Sequence, residues 1–308
     1  MNVDLFFYLL VFPGFLFTSI LGLIVGWIDR KVSARFQYRV GPPFFQNFND
    51  IFKLLGKQTV LIKNSLKSPF IIAPLVSFGS LVILSLFIGL PLFFDKSFGG
   101  DILVILYIMV VFSIMVFLGG GASGNVYSSI GAGREIKLFL ADELTFFLVC
   151  LIPIVSSGYN LELTSIISAQ NAGAVVGSIH GIIGFLAGII CIQAKMTMQP
   201  FDIPEAETEI IEGPLMEYSG SLLAFWKLNH YMMYVIYPFF LIALYLGGFD
   251  FQGLGIIWSL LKYLLIVVIM IIIKNTNPRL QINKALSFFW KILFPITFIG
   301  LILAILGV

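Results

Sequence analysis

The chain carries very little charge for its size. Of its 308 residues, 18 are Lys or Arg and 16 are Asp or Glu, so 11% are charged and 59% are hydrophobic. Soluble domains carry about 25% charged residues. So few charged side chains cannot give a globular protein of this size a polar surface. The scarcity excludes a soluble enzyme and favours a protein whose outer surface faces lipid.

Residues that hold cofactors are also scarce. The chain has two cysteines, Cys150 and Cys191, both inside apolar runs, and two histidines. Because it has no C-x-x-C pair, dinucleotide fingerprint or P-loop, it cannot by itself ligate an Fe–S cluster, build an ordinary zinc site or cradle a nucleotide. We expect no cofactor, no metal and no catalytic centre here, and no nucleic-acid partner. Any redox centre must belong to a partner protein.

Long apolar runs dominate what is present. A spanning helix takes about 20 apolar residues, and eight such runs occur, so we predict an all-α polytopic membrane protein with one domain over 1–308. No repeat suggests the two halves of a transporter. An amphipathic helix and a short acidic helix are expected in two hydrophilic loops, 29–69 and 195–227. The predicted spans are 4–28, 70–94, 101–119, 137–157, 175–194, 229–248, 254–274 and 286–306.

The distribution of Lys and Arg predicts the orientation. The loops after spans 1, 3, 5 and 7 carry nearly all the basic residues, and the opposite loops carry Lys96 alone. Basic loops stay in the cytoplasm. We therefore expect a multi-pass protein of the plasma membrane with both termini outside and both long loops inside.

Carboxylates near the inner end of the fourth span need an explanation, because ionisable groups at membrane depth are costly. Asp142 and Glu143 lie one or two turns inside this span, and Arg134 and Glu135 lie one to two turns earlier. One interpretation is an interfacial cluster neutralised by Arg134 or Lys137. The other is a set of proton-carrying carboxylates.

The segment after the fifth span is strongly acidic. Asp202 and Glu205 fit a capping box that opens a short helix, which Gly213 would end. Helical spacing would then place Asp202, Glu205, Glu209 and Glu212 on one face. A solvated loop helix and a proton store or relay are both compatible with this pattern. The acidic residues are Asp202, Glu205, Glu207, Glu209 and Glu212, with Glu217 just beyond.

The first inner loop combines a basic stripe with an amphipathic helix. Lys31, Arg35 and Arg39 are spaced four residues apart, so span 1 is predicted to continue as a helix beyond the membrane. An apolar face follows, made of Phe44, Phe48, Ile51, Phe52 and Leu55. This helix could lie in the lipid interface or form a platform on which a soluble subunit docks.

His230 begins the sixth span, one turn after Lys227. The lysine is predicted to extend to the membrane surface. The histidine is either a hydrogen-bonded structural residue or a member of a proton path.

Two motifs resemble a known family. They are R-K-V-S-A-R-F-Q-Y-R-V-G-P from Arg30 to Pro42, and P-F-D-I-P-E-A-E-T-E from Pro200, followed by E-Y-S-G at Glu217. Both resemble the H-type membrane subunit of complex I and of related energy-converting hydrogenases, and the resemblance covers nearly the whole chain.

The resemblance implies a subunit that anchors a soluble redox arm to a membrane arm. The implied partners are a soluble Fe–S subunit and a hydrogenase-large-subunit-like protein on the cytoplasmic side, together with antiporter-like membrane subunits. Fe–S clusters and a NiFe centre would belong to those partners. The family's charged path maps to Glu143, Asp202, Glu205, Glu207, Glu209 and Glu217, with Arg134 nearby.

Departures from the quinone-using pattern indicate the branch. The loop at Gly41 is shorter than in the quinone type, Met198 stands in place of an arginine, and Lys195 and His230 stand in place of glutamates. The segment from Glu212 to Gly220 is similar to membrane-bound [NiFe]-hydrogenases. We expect a ferredoxin-linked, hydrogenase-type complex that moves protons or sodium. Alternatives are a sulfur-reducing relative, the H-type component of an NADH-quinone oxidoreductase and a stand-alone ion carrier.

Overall fold

The computed structural model describes residues 3–63 and 65–307, and this part of the chain folds as helices and loops without a β-strand. A short π-helical segment, Phe289–Leu293, joins the last two helices. The helices are α1 (Val3–Leu10), α2 (Phe15–Phe36), α3 (Gln46–Leu55), α4 (Lys67–Phe94), α5 (Asp101–Ala122), α6 (Val126–Ser156), α7 (Leu163–Ala169), α8 (Ile179–Lys195), α9 (Glu207–Ile210), α10 (Gly220–Tyr245), α11 (Gly255–Thr276), α12 (Ile282–Phe288) and α13 (Phe294–Leu306).

The predicted polytopic membrane fold is confirmed. Within the described ranges, seven helical segments are long and apolar enough to cross a membrane. The fifth predicted span corresponds to α8, which is apolar but has only 17 residues. The seven segments are Phe6–Phe36, Lys67–Phe94, Asp101–Ala122, Val126–Ser156, Gly220–Tyr245, Gly255–Thr276 and Ile282–Leu306.

Helix α10 lies at the centre of the bundle. Nearly all of its side chains from Tyr231 to Tyr245 are buried, as expected for a helix that is apolar on every side. It packs against α2, α4, α8 and α11. By contrast, α11 and α13 expose rows of large apolar side chains such as Leu261 and Ile299, and such surfaces suit contact with lipid.

The predicted inner loops share one end of the bundle. The amide of Val60 in the first loop donates to Ser219 Oγ in the second loop, at 3.0 Å. The amide of Leu280, between α11 and α12, donates to the carbonyl of Pro200 at 3.0 Å. The basic loops therefore meet on one side, as their charge predicted, and α7 lies at the opposite end.

The predicted acidic helix is mostly absent, and its predicted capping box is wrong. Helix α9 covers four residues and is preceded by Ala206, so Asp202 and Glu205 precede it without capping it. Ile211 follows with a φ of +63°, which ends the helix before Glu212. The four carboxylates therefore do not share a helix face, because tertiary ion pairs take precedence over local capping in this loop.

The ends of α2 and α6 also differ from the prediction. Helix α2 ends at Phe36, because Tyr38 adopts a φ of +56°, so Arg39 lies in a loop and not on a helical stripe. Helix α6 begins at Val126, well before predicted residue 137, and Asn125 caps it by accepting from the amide of Tyr127. Arg134, Glu135 and Lys137 interrupt the apolar run from which the span was predicted, but the helix continues through them.

Candidate functional site

A cavity of about 330 Å³ lies at the end of the bundle where the inner loops meet. Its walls come from α2, α5, α6, α10 and α11 and from the loop after α8. Most side chains that face it can carry or exchange a proton. Its ionisable and hydroxyl-bearing lining residues are Asp29, Arg30, Glu135, Thr197, Glu205, Glu212, Lys227, His230, Tyr231, Tyr234 and Lys274.

Glu135 connects this cavity to a second, smaller one. Its side chain is buried, and its Oε2 atom has no hydrogen-bond partner among the described residues. The smaller cavity, about 10 Å³, is also bordered by Ser113, Asp142 and Lys195. A cavity of about this size holds one water molecule when polar groups surround it. Glu135 therefore faces the large cavity on one side and a space for a single water on the other.

Beyond the small cavity, three charged side chains meet inside the bundle. Lys195 Nζ, from the last turn of α8, lies 3.1 Å from Asp142 Oδ2 and 2.6 Å from Glu143 Oε2. Asp142 and Lys195 are almost completely buried, whereas the Glu143 side chain keeps 27% of its surface exposed. The ammonium also lies 4.5 Å from the ring centroid of Phe146. We call Asp142, Glu143 and Lys195 the lysine cluster.

The opposite wall of the large cavity carries a second, partly buried ion pair. Lys274 Nζ of α11 lies 2.7 Å from Asp29 Oδ2 of α2, and the hydroxyl of Tyr234 donates to the same oxygen at 3.0 Å. His230, one turn before Tyr234 on α10, packs edge-on against its ring at 5.4 Å. The large cavity therefore has the Glu135 carboxylate of α6 on one side and a neutralised Asp–Lys pair on the other.

Two arginines attach the acidic loop to the bundle. Arg279 Nε lies 2.6 Å from Asp202 Oδ2, and Arg134 Nη1 lies 2.5 Å from Glu209 Oε2. Burial raises the pKa of Asp202 more strongly than the Arg279 guanidinium lowers it. Since Arg134 is on α6 and Arg279 follows α11, the two pairs hold the loop across the mouth of the cavity.

Comparison with known proteins identifies the family. The sequence profile of the family described as NADH dehydrogenase matches residues 8–305. The chain is 33% identical over 312 residues to the H-type component of the NADH-quinone oxidoreductase of Dehalococcoides mccartyi, covering 98% of this chain and 86% of the relative. It is 33% identical over 322 residues to the protein of the same name of Thermomicrobium roseum, covering 94% and 92%. The chain belongs to the NADH dehydrogenase family of H-type membrane proteins.

A solved structure has the same fold as this family member. It comes from the membrane-bound sulfane sulfur reductase, an archaeal respiratory membrane complex, with a TM-score of 0.86 and 25% sequence identity. The match covers 98% of this chain and 100% of the other. The predicted resemblance to the H-type components of complex I-related assemblies is therefore confirmed. The hydrogenase branch stays a prediction, because these relatives carry quinone and sulfur names.

The structure brings together part of the path predicted for this H-type chain. Asp142 and Glu143 meet in the lysine cluster, Glu135 adjoins it, and Glu205, Glu212 and His230 line the large cavity. The remaining predicted residues lie elsewhere. Asp202 and Glu209 are in ion pairs, Glu217 accepts a hydrogen bond from Asn125 at 2.5 Å, and the side chain of Glu207 is outside the described part of the structure.

One of the two sequence interpretations named the wrong partners for the buried carboxylates, and sequence reasoning missed the pairing roles of three residues. Neither Arg134 nor Lys137 neutralises Asp142 and Glu143, because Lys195 of a different helix does so. The sequence analysis used Lys195 only as a departure from the quinone-using pattern and did not identify it as the partner of these carboxylates. Asp29 and Lys274 were missed as a pair, because 245 positions separate them in sequence. The available signal was that Asp29 and Lys274 each lie directly at the end of an apolar run, where a charged side chain needs a partner.

The predicted docking helix α3 is present, and its two faces have different roles. Ile51 is buried and packs with Phe48 against Leu23 of α2 and Tyr231 of α10, so Phe48 contributes to the interior. Arg30 Nη1 binds Asn47 Oδ1 at 2.9 Å and fixes the helix to α2. The other predicted docking residues, Arg35, Arg39, Phe44 and Phe52, are exposed, with Phe52 at 70%.

Proposed function

We propose that this chain is the membrane anchor and coupling subunit of a ferredoxin-linked respiratory complex of the hydrogenase type. In it, electron transfer within soluble partners drives proton or sodium translocation. The chain contributes no redox centre. It holds the soluble arm at the membrane and transfers protons from the inner cavity towards the membrane arm when the charge near the cavity changes.

The observation that carries this proposal is the position of Glu135 between two cavities. Its carboxylate borders the large inner cavity and also the small one next to Asp142. A proton that enters from Glu205 or Glu212 has a path through Glu135 to the lysine cluster. Arrival of an electron at a cofactor above the cavity would change the electrostatic field there, and buried carboxylates respond to such a change by taking up or releasing a proton.

The docking role belongs to the exposed surface formed by Arg35, Arg39, Phe44 and Phe52. A basic surface with exposed aromatic side chains suits an acidic soluble partner. The partners we propose are an Fe–S subunit and a hydrogenase-large-subunit-like protein, which would hold the Fe–S clusters and a NiFe centre. Antiporter-like subunits would continue the path within the plasma membrane.

A sulfur-reducing complex is the second candidate, supported by the TM-score of 0.86 to the chain from the sulfane sulfur reductase. A quinone reductase is the third, supported by the names of the sequence relatives. Lys195, Met198 and His230 favour the first two, because the quinone type resembled by this sequence carries glutamates or an arginine there.

An affinity tag on this chain provides the test. The intact complex is purified from native membranes, its partners are identified by mass spectrometry, and its nickel and iron contents are measured. Reduced ferredoxin is then supplied with protons, polysulfide or a soluble quinone as acceptor. Nickel together with hydrogen evolution supports the hydrogenase type, and sulfide production without nickel supports the second candidate. Ion transport by the isolated chain in liposomes would contradict the coupling role and revive the stand-alone carrier.

A further inference from the structure

In the lysine cluster, one ammonium group contacts two carboxylates. One nitrogen, Lys195 Nζ, contacts both carboxylates, although Asp142 and Glu143 are consecutive residues that point in different directions from α6. The rings of Phe146 and Phe139 lie 4.5 Å and 5.7 Å from the same nitrogen. Two anions and two aromatic faces form a site built for an ammonium group.

Charge balance fixes how many protons this cluster can hold. With both carboxylates ionised, the three groups sum to one negative charge, and burial disfavours an uncompensated charge. With one proton shared between Asp142 and Glu143, the sum is zero. Lys195 keeps its charge in either case and pairs with whichever carboxylate is ionised.

The two carboxylates face different surroundings. Asp142 is 1% exposed and borders the small cavity. Glu143 is partly exposed on the outer side of α6, between the exposed Leu140 and Leu144. A proton that moves from Asp142 to Glu143 therefore passes from the interior to the outer surface of the bundle.

We infer that Lys195 is the positioning residue that makes Asp142 and Glu143 a unit sharing one proton. This inference rests on the proposed coupling function and deepens it. When Glu135 gives up its proton through the water-sized cavity, the O–H bond on Glu135 breaks and one forms on Asp142. Glu143 releases its own proton to the neighbouring membrane subunit of the proposed complex, and Lys195 pairs with the ionised Glu143. When that proton moves on to Glu143, the O–H bond on Asp142 breaks, and Lys195 pairs with ionised Asp142.

Removal of the ammonium blocks this exchange. In Lys195→Met, neutrality requires a proton on both carboxylates, so no ionised carboxylate remains to accept the next proton. Lys195→Arg keeps the positive charge and should retain part of the transfer. A merely structural lysine would behave differently, because complexes that assemble without it would then transport ions normally.

The experiment compares the two variants in the intact complex in inverted vesicles. Ion uptake per electron is measured with the donor that drives the wild-type complex. In parallel, a hydrophobic carbodiimide, which reacts with protonated carboxyl groups, is added, and its adduct on Glu143 is quantified by mass spectrometry. The Glu143→Gln variant confirms the assignment of the adduct.

The expected result for Lys195→Met is a drop of about tenfold or more in uptake per electron, because positioned proton-transfer groups contribute at least that much to rate, together with more adduct on Glu143. Lys195→Arg should keep a larger share of uptake than Lys195→Met. Wild-type uptake per electron in assembled Lys195→Met complex would overturn the inference, and so would an unchanged adduct. Absence of coupled uptake in the wild type would instead overturn the proposed function itself.

Discussion

Glu135 shows how much of the site depends on the surroundings of single side chains. It lies beside Arg134 in sequence, but Arg134 points to the acidic loop and binds Glu209, which leaves Glu135 between the two cavities. A carboxylate buried without a cationic partner in hydrogen-bond contact is costly, and a functional role accounts for that cost. The paired Glu209 and Asp202 fasten the loop instead.

The first prediction concerns Glu135. Glu135→Gln should lower ion uptake per electron by about tenfold or more, because an amide cannot carry the proton, while the complex should assemble and reduce its acceptor. Uptake and acceptor reduction are measured together in inverted vesicles. Glu162→Gln, at the opposite end of the bundle, is the matched control. Equal uptake in the two variants would show that the path avoids Glu135.

At the scale of elements, the three consecutive glycines near the end of α5 have different roles. A methyl group added at Gly120 would lie 2.9 Å from Pro214 Cβ and 3.1 Å from Ala132 Cβ, so α5 approaches the acidic loop and α6 closely there. A methyl group at Gly121 would meet nothing within 4 Å. The glycine pattern is typical of tight packing, and the structure places that packing where α5 meets α6 and the segment at Pro214.

The second prediction follows from this difference. Gly120→Ala should destabilise the fold by about 1–3 kcal/mol through overpacking. Gly121→Ala should stabilise it by up to about 1 kcal/mol, because alanine favours the helix. The melting temperatures of the detergent-purified variants give the comparison. A similar change in both variants would mean that the contact with Pro214 relaxes without cost.

Helix α3 and the end of α2 support the third prediction. Replacing both Arg35 and Arg39 with Glu should release the soluble arm during purification, because the charge that would face the proposed acidic partner is reversed. Both residues lie at the surface, so the fold should survive. Lys96→Glu, at the opposite end, is the control. Full recovery of the soluble subunits with the doubly reversed variant would count against this docking surface.

At the scale of the whole molecule, the cavity and most of the basic residues lie at one end of the bundle. The cavity, both arginine pairs and the basic loops lie at one end, while the other end is closed by α7, whose Leu163 amide donates to buried Asp101 at 2.9 Å. The sidedness inferred from basic loops therefore also fixes the side from which the cavity is reached.

The fourth prediction tests this sidedness. A cysteine at Asn49, on the outer face of α3, should react with an impermeant maleimide only from the cytoplasm, and one at Asn160 only from outside. Native Cys150 and Cys191 are buried and should not react with the maleimide. Asn47 is unsuitable as a labelling site, because it is fully buried against α2. Labelling of the Asn49 variant from outside would contradict the proposed orientation and place the inner loops outside the cell.

The sequence by itself determined the helical membrane fold, the apolar segments, the shared side of the basic loops and the family. These follow from run length, charge distribution and motif, which are local properties that need no knowledge of packing. Helix α3 was predictable for the same reason, since the spacing of its apolar residues can be read directly from one short segment of the sequence.

The tertiary structure alone decided the pairing of charges. Lys195 is 52 positions from Glu143, and Lys274 is 245 positions from Asp29, so no periodicity links them. The capping box failed for the same reason, because Asp202 pairs with Arg279 and Ala206, not Asp202, precedes the four-residue helix. Both buried lysine pairs join residues of different helices, and packing selects which helices meet.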